Sequence, residues 1–244
     1  PRMGYPCVGS WVTYGLGSNS DSLPAFVVMS DPKGRGLPKG HAANWGAGFL
    51  PSVYQGTHFR PTGDPIDNLY RPREMNPDQQ RRQLDLLQHL NQKHLDANPY
   101  EEELAARIES FELAYRMQTS VPGLMDIAGE PKHVHEMYGT KPGEISFANN
   151  CLLARRMIER GVRFVQLYQR GWDMHSDIKT RMPEMCKLVD QPIAALITDL
   201  KQRGLLDETL IIWGGEFGRT AYCQGELKPK FGRDHHPRCF NTWI

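Results

Sequence analysis

Hydrophobic residues are unevenly spaced along the chain, and their spacing predicts different elements in its three parts. Near the start, Val8–Leu16 is predicted to be a short helix closed by Gly17, and Phe26–Met29 a short buried strand. Residues 31–73 show little periodicity, although aromatic residues recur among them. Because a long irregular segment inside a compact domain is often functional, we treat 31–73 as a candidate binding surface.

The middle of the chain predicts a helical hairpin over residues 76–120. Asn76 supplies an N-cap, Pro77 a first-turn proline and Gln79 a capping-box partner. The same start signal recurs at 98–101. Apolar and aromatic residues follow each signal at helical spacing, which predicts two amphipathic helices packed on each other.

Residues 145–244 predict a βαβ unit. A helix at 145–160 precedes a strand at 162–169, a second helix at 182–203 and an apolar strand at 209–213. Strand, helix and strand in this order favour a largely parallel sheet that is covered by helices. The expected fold class is therefore α/β.

Charge, hydropathy and cysteine spacing each argue against a class of protein. Lysine and arginine total 29 against 28 acidic residues, a formal net charge of +1, whereas a nucleic-acid partner needs a concentrated basic face. No run of about 18 apolar residues occurs, so no membrane span is expected. The five cysteines include no Cys-x-x-Cys pair, which leaves a zinc ribbon unsupported. Free thiols are favoured, with one disulfide left open for an exported protein.

The two ends of the chain indicate an internal piece of a longer protein. The chain begins at Pro1 without an initiator methionine, and 239–244 predicts a β-strand at its other end. We expect one domain over 1–244 that is incomplete at both ends. Within it, 76–120 is the helical hairpin and 145–244 is the core that carries the candidate site. The oligomeric state is left open.

Polar segments follow the two predicted strands of this core, and a third precedes the terminal strand. In open α/β sheets, ligands bind beyond the carboxyl ends of the strands. The three segments are 171–177, 214–220 and 232–237, and their candidate side chains are three carboxylates, three histidines and two arginines, namely Asp173, Glu216 and Asp234, His175, His235 and His236, and Arg219 and Arg233. Imidazole and carboxylate groups together bind zinc, manganese or iron, and carboxylates also bind calcium. We take these acids and histidines as candidate metal ligands and the arginines as candidate oxyanion-binding residues.

Each candidate also has a purely structural interpretation. Asp173 can hold His175 or cap the following helix, and Glu216 can pair with Arg219 as a buried ion pair. The adjacent histidines at 235–236 need not face one centre. If the terminal strand were parallel to the others, these histidines would lie at the wrong edge of the sheet. An antiparallel strand, or a connection that folds back over the site, would bring them to it.

Five motifs resemble a known family. They are the segments 51–57, 111–118, 171–175, 214–220 and 232–237. All five are similar to the large bacterial family called domain of unknown function 1501, which is grouped with the alkaline-phosphatase and arylsulfatase superfamily. The resemblance covers essentially the whole chain.

This resemblance implies a fold, a reaction class and a location. The implied fold is an alkaline-phosphatase-like three-layer α/β/α sandwich with a mostly parallel sheet, of which this chain is an internal fragment. Superfamily members mostly hydrolyse phosphate or sulfate esters at a centre of one or two metal ions. Members of the family are usually exported, often through the twin-arginine (Tat) pathway, so a periplasmic or extracellular location is expected.

The resemblance also implies roles for individual residues. Asp173 and His175 resemble the aspartate and histidine that bind the first metal in superfamily phosphatases. Glu216 falls where the superfamily has the aspartate of an Asp-His pair. His235 or His236 stands for the later histidine of the metal centre.

Two departures from the family pattern bear on activity. Phe217 replaces the histidine of the Asp-His pair and cannot ligate a metal, so a complete second metal site is in doubt. The nucleophile and the first-strand aspartate are expected before Pro1. No residue of this chain is therefore assigned as the nucleophile, and the fragment alone is expected to be inactive.

Two function classes remain, with a third less favoured. The first is a metal-dependent hydrolase of phosphate or sulfate esters, whose substrate could be an extracellular polymer. The alternative is a catalytically degenerate superfamily member that acts as an exported binding or envelope-assembly protein, which Phe217 and the segment 31–73 favour. The third is a metal-binding isomerase or mutase on the same scaffold.

Overall fold

The computed structural model describes residues 4–31, 39–60, 63–98 and 102–244, and within the last range the side chains from residue 108 onward. These residues form six α-helices and a three-stranded parallel sheet, so the mixed α/β class is confirmed. The chain divides into two compact units. The first unit is Pro1–Gly129 with Arg156–Tyr168, and the second unit is Glu130–Arg155 with Gln169–Ile244.

The parallel sheet belongs to the first unit. Its central strand β1 (Phe26–Met29) lies between β2 (Thr57–Phe59) and β3 (Phe164–Leu167). All four β1 residues are buried, as expected of a central strand in a parallel sheet. The strand predicted at 162–169 is confirmed in its middle, as β3.

The first helix, α1 (Val8–Leu16), has the predicted bounds and ends at Gly17, which has the left-handed φ of 66°. Gly9 permits a close approach to the sheet, because a Cβ at this position would lie 2.5 Å from the Phe26 ring. The helix therefore packs against the core of the first unit along a face that has no bulky side chain at this point.

The irregular early segment holds more structure than its pattern predicts. It contains short 3-10 turns at His41–Trp45 and Ser52–Tyr54, and the edge strand β2 follows them. Strand β2 has three residues, too few for a period-two alternation to show in the sequence. Residues 32–38 and 61–62 of this segment lie outside the described residues.

The predicted helical hairpin is confirmed as α2 (Pro77–Ala97) and α3 (Glu102–Met125). The capping box is present: Asn76 Oδ1 accepts from the Gln79 amide at 2.8 Å, and the Asn76 amide donates to Gln79 Oε1 at 3.0 Å. An ion pair of 3.1 Å between Arg81 and Glu112 joins the two helices. The second predicted start signal falls largely on residues 99–101, which lie outside the described residues.

Three more helices follow: α4 (Lys132–Tyr138), α5 (Phe147–Glu159) and α6 (Ile178–Gln202). Helix α5 lies within the predicted range of 145–160. Helix α6 begins four residues before the predicted start at 182, after Asp177, whose φ of 50° is left-handed. Thr180 Oγ1 donates to Asp177 Oδ1 at 3.0 Å and fixes this turn. A proline is typical of the first turn of a helix, but Pro183 lies in the second turn of α6.

The strand predicted at 209–213 is wrong for most of its length. Only its last residue is in a strand: β4 (Trp213–Gly214) pairs antiparallel with β7 (Thr242–Trp243) and is not part of the parallel sheet. Leu210 and Ile212 are 72% and 56% exposed. A β-strand needs a neighbouring strand for its backbone hydrogen bonds. In this apolar run only Trp213 has such a neighbour. The terminal strand β7 is antiparallel to its partner β4, and the βαβ unit predicted for 145–244 is wrong, because β3 and β4 belong to different sheets.

Two of the polar segments form a β-ribbon. Strands β5 (Gly218–Cys223) and β6 (Arg233–His236) pair antiparallel, with Arg219 opposite His235 and a register shift before Cys223. The Gly218 amide donates to the Cys239 carbonyl, and a Cβ on Gly218 would overlap that oxygen.

Two further expectations from the sequence concern disulfide formation and membrane-spanning helices. All five cysteines are free, and burial raises the pKa of the Cys151 thiol. Among the described residues, no helix combines the length and apolarity that crossing a bilayer requires.

Candidate metal centre

The loop at 171–177 is fastened by its backbone to the segment that leads into β6. Gly232 packs directly on the backbone of His175 and Ser176, where a Cβ would overlap main-chain atoms. Three backbone hydrogen bonds hold the two segments together: Arg233 N to Met174 O at 3.1 Å, Asp177 N to Lys230 O at 3.1 Å and Ile178 N to Phe231 O at 3.0 Å. The side chains of the loop are therefore held against the β5–β6 ribbon.

Three ligand atoms converge at this junction. Asp173 Oδ1 lies 2.8 Å from His175 Nε2 and 3.5 Å from His235 Nε2. The two imidazole nitrogens are 3.2 Å apart. Within the described residues, these three side chains form a group whose ligand atoms all lie within 4.8 Å of one another.

The spacing of this group fits a single small divalent cation. Four ligands about 2.0–2.1 Å from a tetrahedral zinc ion are separated from each other by about 3.3 Å. The three measured separations lie on either side of that value. Two imidazoles and one carboxylate are also a common protein ligand set, with room for water or substrate at the remaining position. The donor set therefore fits a metal ion in both chemistry and distance.

Glu216 contacts the far side of one imidazole and does not join the converging group. Its Oε1 lies against His235 Nδ1, while His235 Nε2 faces Asp173. This is a close charged contact and not a hydrogen bond, because His235 Nδ1 has no hydrogen-bond partner among the described residues. Two roles were predicted for Glu216, a metal ligand and an ion-pair partner of Arg219. The structure places it outside the converging group and 3.6 Å from Arg219 Nη2.

Arg219 lies beside the ligand atoms. Its Nη2 donates to Asp173 Oδ1 at 2.5 Å and is 3.6 Å from Glu216 Oε1. The hydrogen bond from Arg219 is the main reason that the pKa of Asp173 lies below its ordinary value, and the neighbouring His175 and His235 act in the same direction. The carboxylate is therefore held in the charged form that binds a cation.

Three other predicted residues lie around the group rather than in it. Asp234 Oδ1 accepts from the His235 amide at 2.8 Å and is 3.9 Å from His175 Nδ1. His236 is paired with Gly218, and because strand residues alternate between faces, its side chain is on the opposite face from His235. Arg233 is exposed and paired with Cys223.

Phe217 packs on the centre as an aromatic neighbour. Its ring centroid is 5.3 Å from that of His235, with the planes at 79°, an edge-to-face contact. Phe217 thus contacts one of the three converging side chains and contributes no donor atom.

A family model described as "Protein of unknown function (DUF1501)" matches residues 1–244. The chain belongs to this family. No curated protein and no solved structure matches it.

One contact of the candidate metal centre in this DUF1501 chain could not be predicted from the sequence. Gln224 Oε1 is 2.6 Å from His175 Nδ1, across 49 positions of the chain. Glutamine is not a typical catalytic or metal-binding residue, and Gln224 lies outside the three polar segments. Only the register of the β5–β6 ribbon and its contact with the 171–177 loop bring it to His175.

Proposed function

We propose that the protein binds one divalent cation through Asp173, His175 and His235 and hydrolyses phosphate or sulfate esters there. The observation that carries this proposal is the convergence of three electron-pair donors at separations of 2.8, 3.2 and 3.5 Å. Two imidazole nitrogens and a carboxylate oxygen that all lie within 4.8 Å of one another form the donor set of many protein zinc sites. Zinc or manganese is the expected ion, because two of the donors are imidazoles.

The surrounding side chains suit an anionic ester. A bound cation supplies Lewis-acid polarisation of a phosphoryl or sulfuryl oxygen, or lowers the pKa of a bound water. Arg219 is positioned to donate to the ester oxygens from beside Asp173. Glu216 lies against Nδ1 of His235, so it adds a second negative charge beside the proposed ion. No nucleophile is assigned to a residue of this chain.

The finer assignments belong to the same proposal. An alkaline-phosphatase-like sandwich is supported by the parallel order β2-β1-β3 and by α1, which packs on this sheet. Export to the periplasm or the outside of the cell stays a prediction from the family resemblance, as does a polymeric substrate.

The test is turnover by the full-length protein after reconstitution with zinc or manganese. Aryl phosphate and aryl sulfate serve as substrates, and His235→Asn is compared with the neighbouring His236→Asn. We expect metal-dependent hydrolysis of at least one ester, lost in the first variant and retained in the second. Turnover that is equal in both variants, or absent with metal bound, contradicts the proposal.

A second candidate function, a binding or assembly role, is favoured by a separate observation. In the first unit, Tyr5, Trp11, Tyr14 and Phe49 are all exposed and touch edge to face, with centroid distances of 5.7–6.2 Å. Exposed apolar patches of this kind often mark interaction sites. For this role we expect a stoichiometric partner or glycan that is lost in Trp11→Ala but kept in Tyr222→Ala, together with no hydrolysis by the metal-bound protein.

A further inference from the structure

A cavity of about 310 Å³ lies in the first unit, beside the edge strand β2. Residues 55–58 and Arg60 line it from the strand, and residues 65–67 line it from the loop that follows. In the described part of the sheet β2 pairs with β1 alone, so its other edge presents backbone N–H and C=O groups without a strand partner. The volume is at the lower end of the range of small-molecule sites, about 300–1,000 Å³, and suits one small ligand.

The loop side of this cavity is held in place by Arg60. The Arg60 amide donates to the Pro65 carbonyl at 2.8 Å, and the side-chain Nε donates to the Asp64 carbonyl at 2.9 Å. Arg60 Nη1 also forms an ion pair of 2.7 Å with Asp67 Oδ1. Because one residue makes all three contacts, the strand and the loop are fastened to each other without any ligand.

The ion pair places a donor and an acceptor side by side at the cavity wall. Arg60 and Asp67 both line the cavity, and their opposite charges balance. A hydroxyl group both donates and accepts. Two neighbouring hydroxyls of one ligand can therefore accept from the guanidinium and donate to the carboxylate, whereas a charged ligand would meet a like charge in the pair.

His58 lines the same cavity and adds a neutral polar group to it. Its ring stacks on that of Trp45, with centroids 5.4 Å apart and planes at 21°. Burial, followed by the charge of Arg60, lowers the pKa of His58, so the ring is uncharged at neutral pH. Its Nε2 is buried and has no hydrogen-bond partner among the described residues. The ring is thus held by stacking, and its capacity for hydrogen bonds is left for a ligand or water.

We propose that this cavity binds a small uncharged polyol, of the size of a single sugar ring, through Arg60, Asp67 and His58. The balanced ion pair selects an uncharged ligand, and the neutral imidazole supplies a further hydrogen bond. The site is a binding site in the first unit and uses none of the residues of the candidate metal centre. It therefore stands or falls independently of the proposed hydrolysis.

The test is saturation-transfer NMR on the full-length protein, with a chelator present so that no metal is bound. Glucose, galactose, mannose and N-acetylglucosamine are the probes. We expect at least one of these sugars to bind. Sodium acetate and inorganic phosphate are then added as competitors, and neither should displace the sugar.

Single variants locate the binding site. Arg60→Met and Asp67→Ala should each weaken sugar binding at least about 10-fold, because each removes a charged hydrogen-bonding partner. Asp67→Ala is the safer variant for folding, since the Asp67 side chain is 79% exposed. His58→Phe, which retains an aromatic ring against Trp45, should weaken binding about 3–10-fold.

Two controls make the result specific. Arg73→Met, at an exposed arginine that does not line the cavity, should bind sugar like the wild type. Trp11→Ala, in the exposed aromatic patch of the same unit, should do the same. Binding of none of the four sugars, or binding that is lost in Trp11→Ala but kept in Arg60→Met and Asp67→Ala, overturns the proposal. Displacement of the sugar by acetate or phosphate overturns the assignment to an uncharged ligand.

Discussion

Two clusters of ionisable side chains lie in the second unit, and they differ in how their charges are matched. In the buried cluster, Arg155 forms ion pairs of 2.7 Å with Glu130 and 3.0 Å with Asp199. Arg203 adds a 2.6 Å contact to Asp199, and the Tyr138 hydroxyl donates to Asp199 at 3.1 Å. The side chains of Arg155 and Asp199 are only 3% and 4% exposed.

The candidate metal centre uses similar residue types at the surface, together with two imidazoles. Its Asp173 side chain is 66% exposed, and the two imidazole nitrogens near it present like groups to one point. In the buried cluster two arginines face two carboxylates, so the charges are complementary without any ligand. The comparison teaches that a buried cluster of matched charges stabilises the fold, whereas the candidate centre is exposed and adds two imidazoles to the pair of Arg219 and Asp173, a set that suits the proposed cation.

The largest expected effect is on stability, in the buried cluster. Arg155→Met should lower the free energy of unfolding by about 3–5 kcal/mol, because Glu130 and Asp199 would be left buried without their common partner. Urea denaturation measures this. Lys132→Met, which breaks the exposed pair with Glu136, is the matched control and should cost less than about 1 kcal/mol. Equal losses in the two variants would remove the contrast between buried and exposed charges.

The hydroxyl of Tyr138 gives a pH-dependent test of the same cluster. Tyr138→Phe should cost about 1.5–3 kcal/mol at neutral pH, because it removes a hydrogen bond to a charged acceptor. Burial, followed by the charge of Asp199, raises the pKa of Tyr138 above its ordinary value of 10. The folded wild type therefore keeps this proton when the unfolded chain loses it, and its stability advantage over the variant should shrink as the pH rises above about 10. An advantage that grows in alkaline solution would contradict this assignment.

Among the residues around the candidate metal centre, Gly232 should be the position most sensitive to substitution. Gly232→Ala places a Cβ on the His175 main chain, which should cost about 1–3 kcal/mol of stability and displace a ligand of the centre. Gly215→Ala is the control, because a Cβ there meets no atom within 4 Å. Stability is read from urea denaturation and the centre from zinc titration. A Gly232→Ala variant that binds zinc like the wild type would show that this contact does not position His175.

The smallest effect on stability is expected at Asp173, where a substitution should have a large effect on metal binding. Asp173→Asn should change the free energy of unfolding of the metal-free protein by less than about 1 kcal/mol, because the Asp173 side chain is 66% exposed and water screens its ion pair with Arg219. Denaturation in the presence of a chelator measures this term alone. A loss as large as that of Arg155→Met would make Asp173 a structural residue.

The parts of the fold that the sequence predicted are those with local signals. Helix α1 ends at a glycine, and α2 begins at a complete capping box, both of which are set by neighbours in the chain. Strand β1 is a short apolar run that is buried on both faces. In these cases the local chemistry and the tertiary contacts favour the same structure.

The parts that it missed depend on distant partners. The run at 209–213 is as apolar as a buried strand, but its strand pairing is limited to Trp213 and Gly214. The candidate ligands Asp173, His175 and His235 were predicted from their chemistry. The choice between His235 and His236 required the register of β6, and the contact of Gln224 required the packing of the ribbon on the 171–177 loop.

The most direct test of the central claim is calorimetric titration of the full-length protein with zinc, in wild type and in four single variants. We predict one equivalent bound in the wild type and in His236→Asn, whose side chain is on the opposite face of β6. We predict at least about 100-fold weaker binding in Asp173→Asn, His175→Asn and His235→Asn, since each loses one of few ligands. Wild-type affinity in all three ligand variants, or loss of binding only in His236→Asn, would contradict the account.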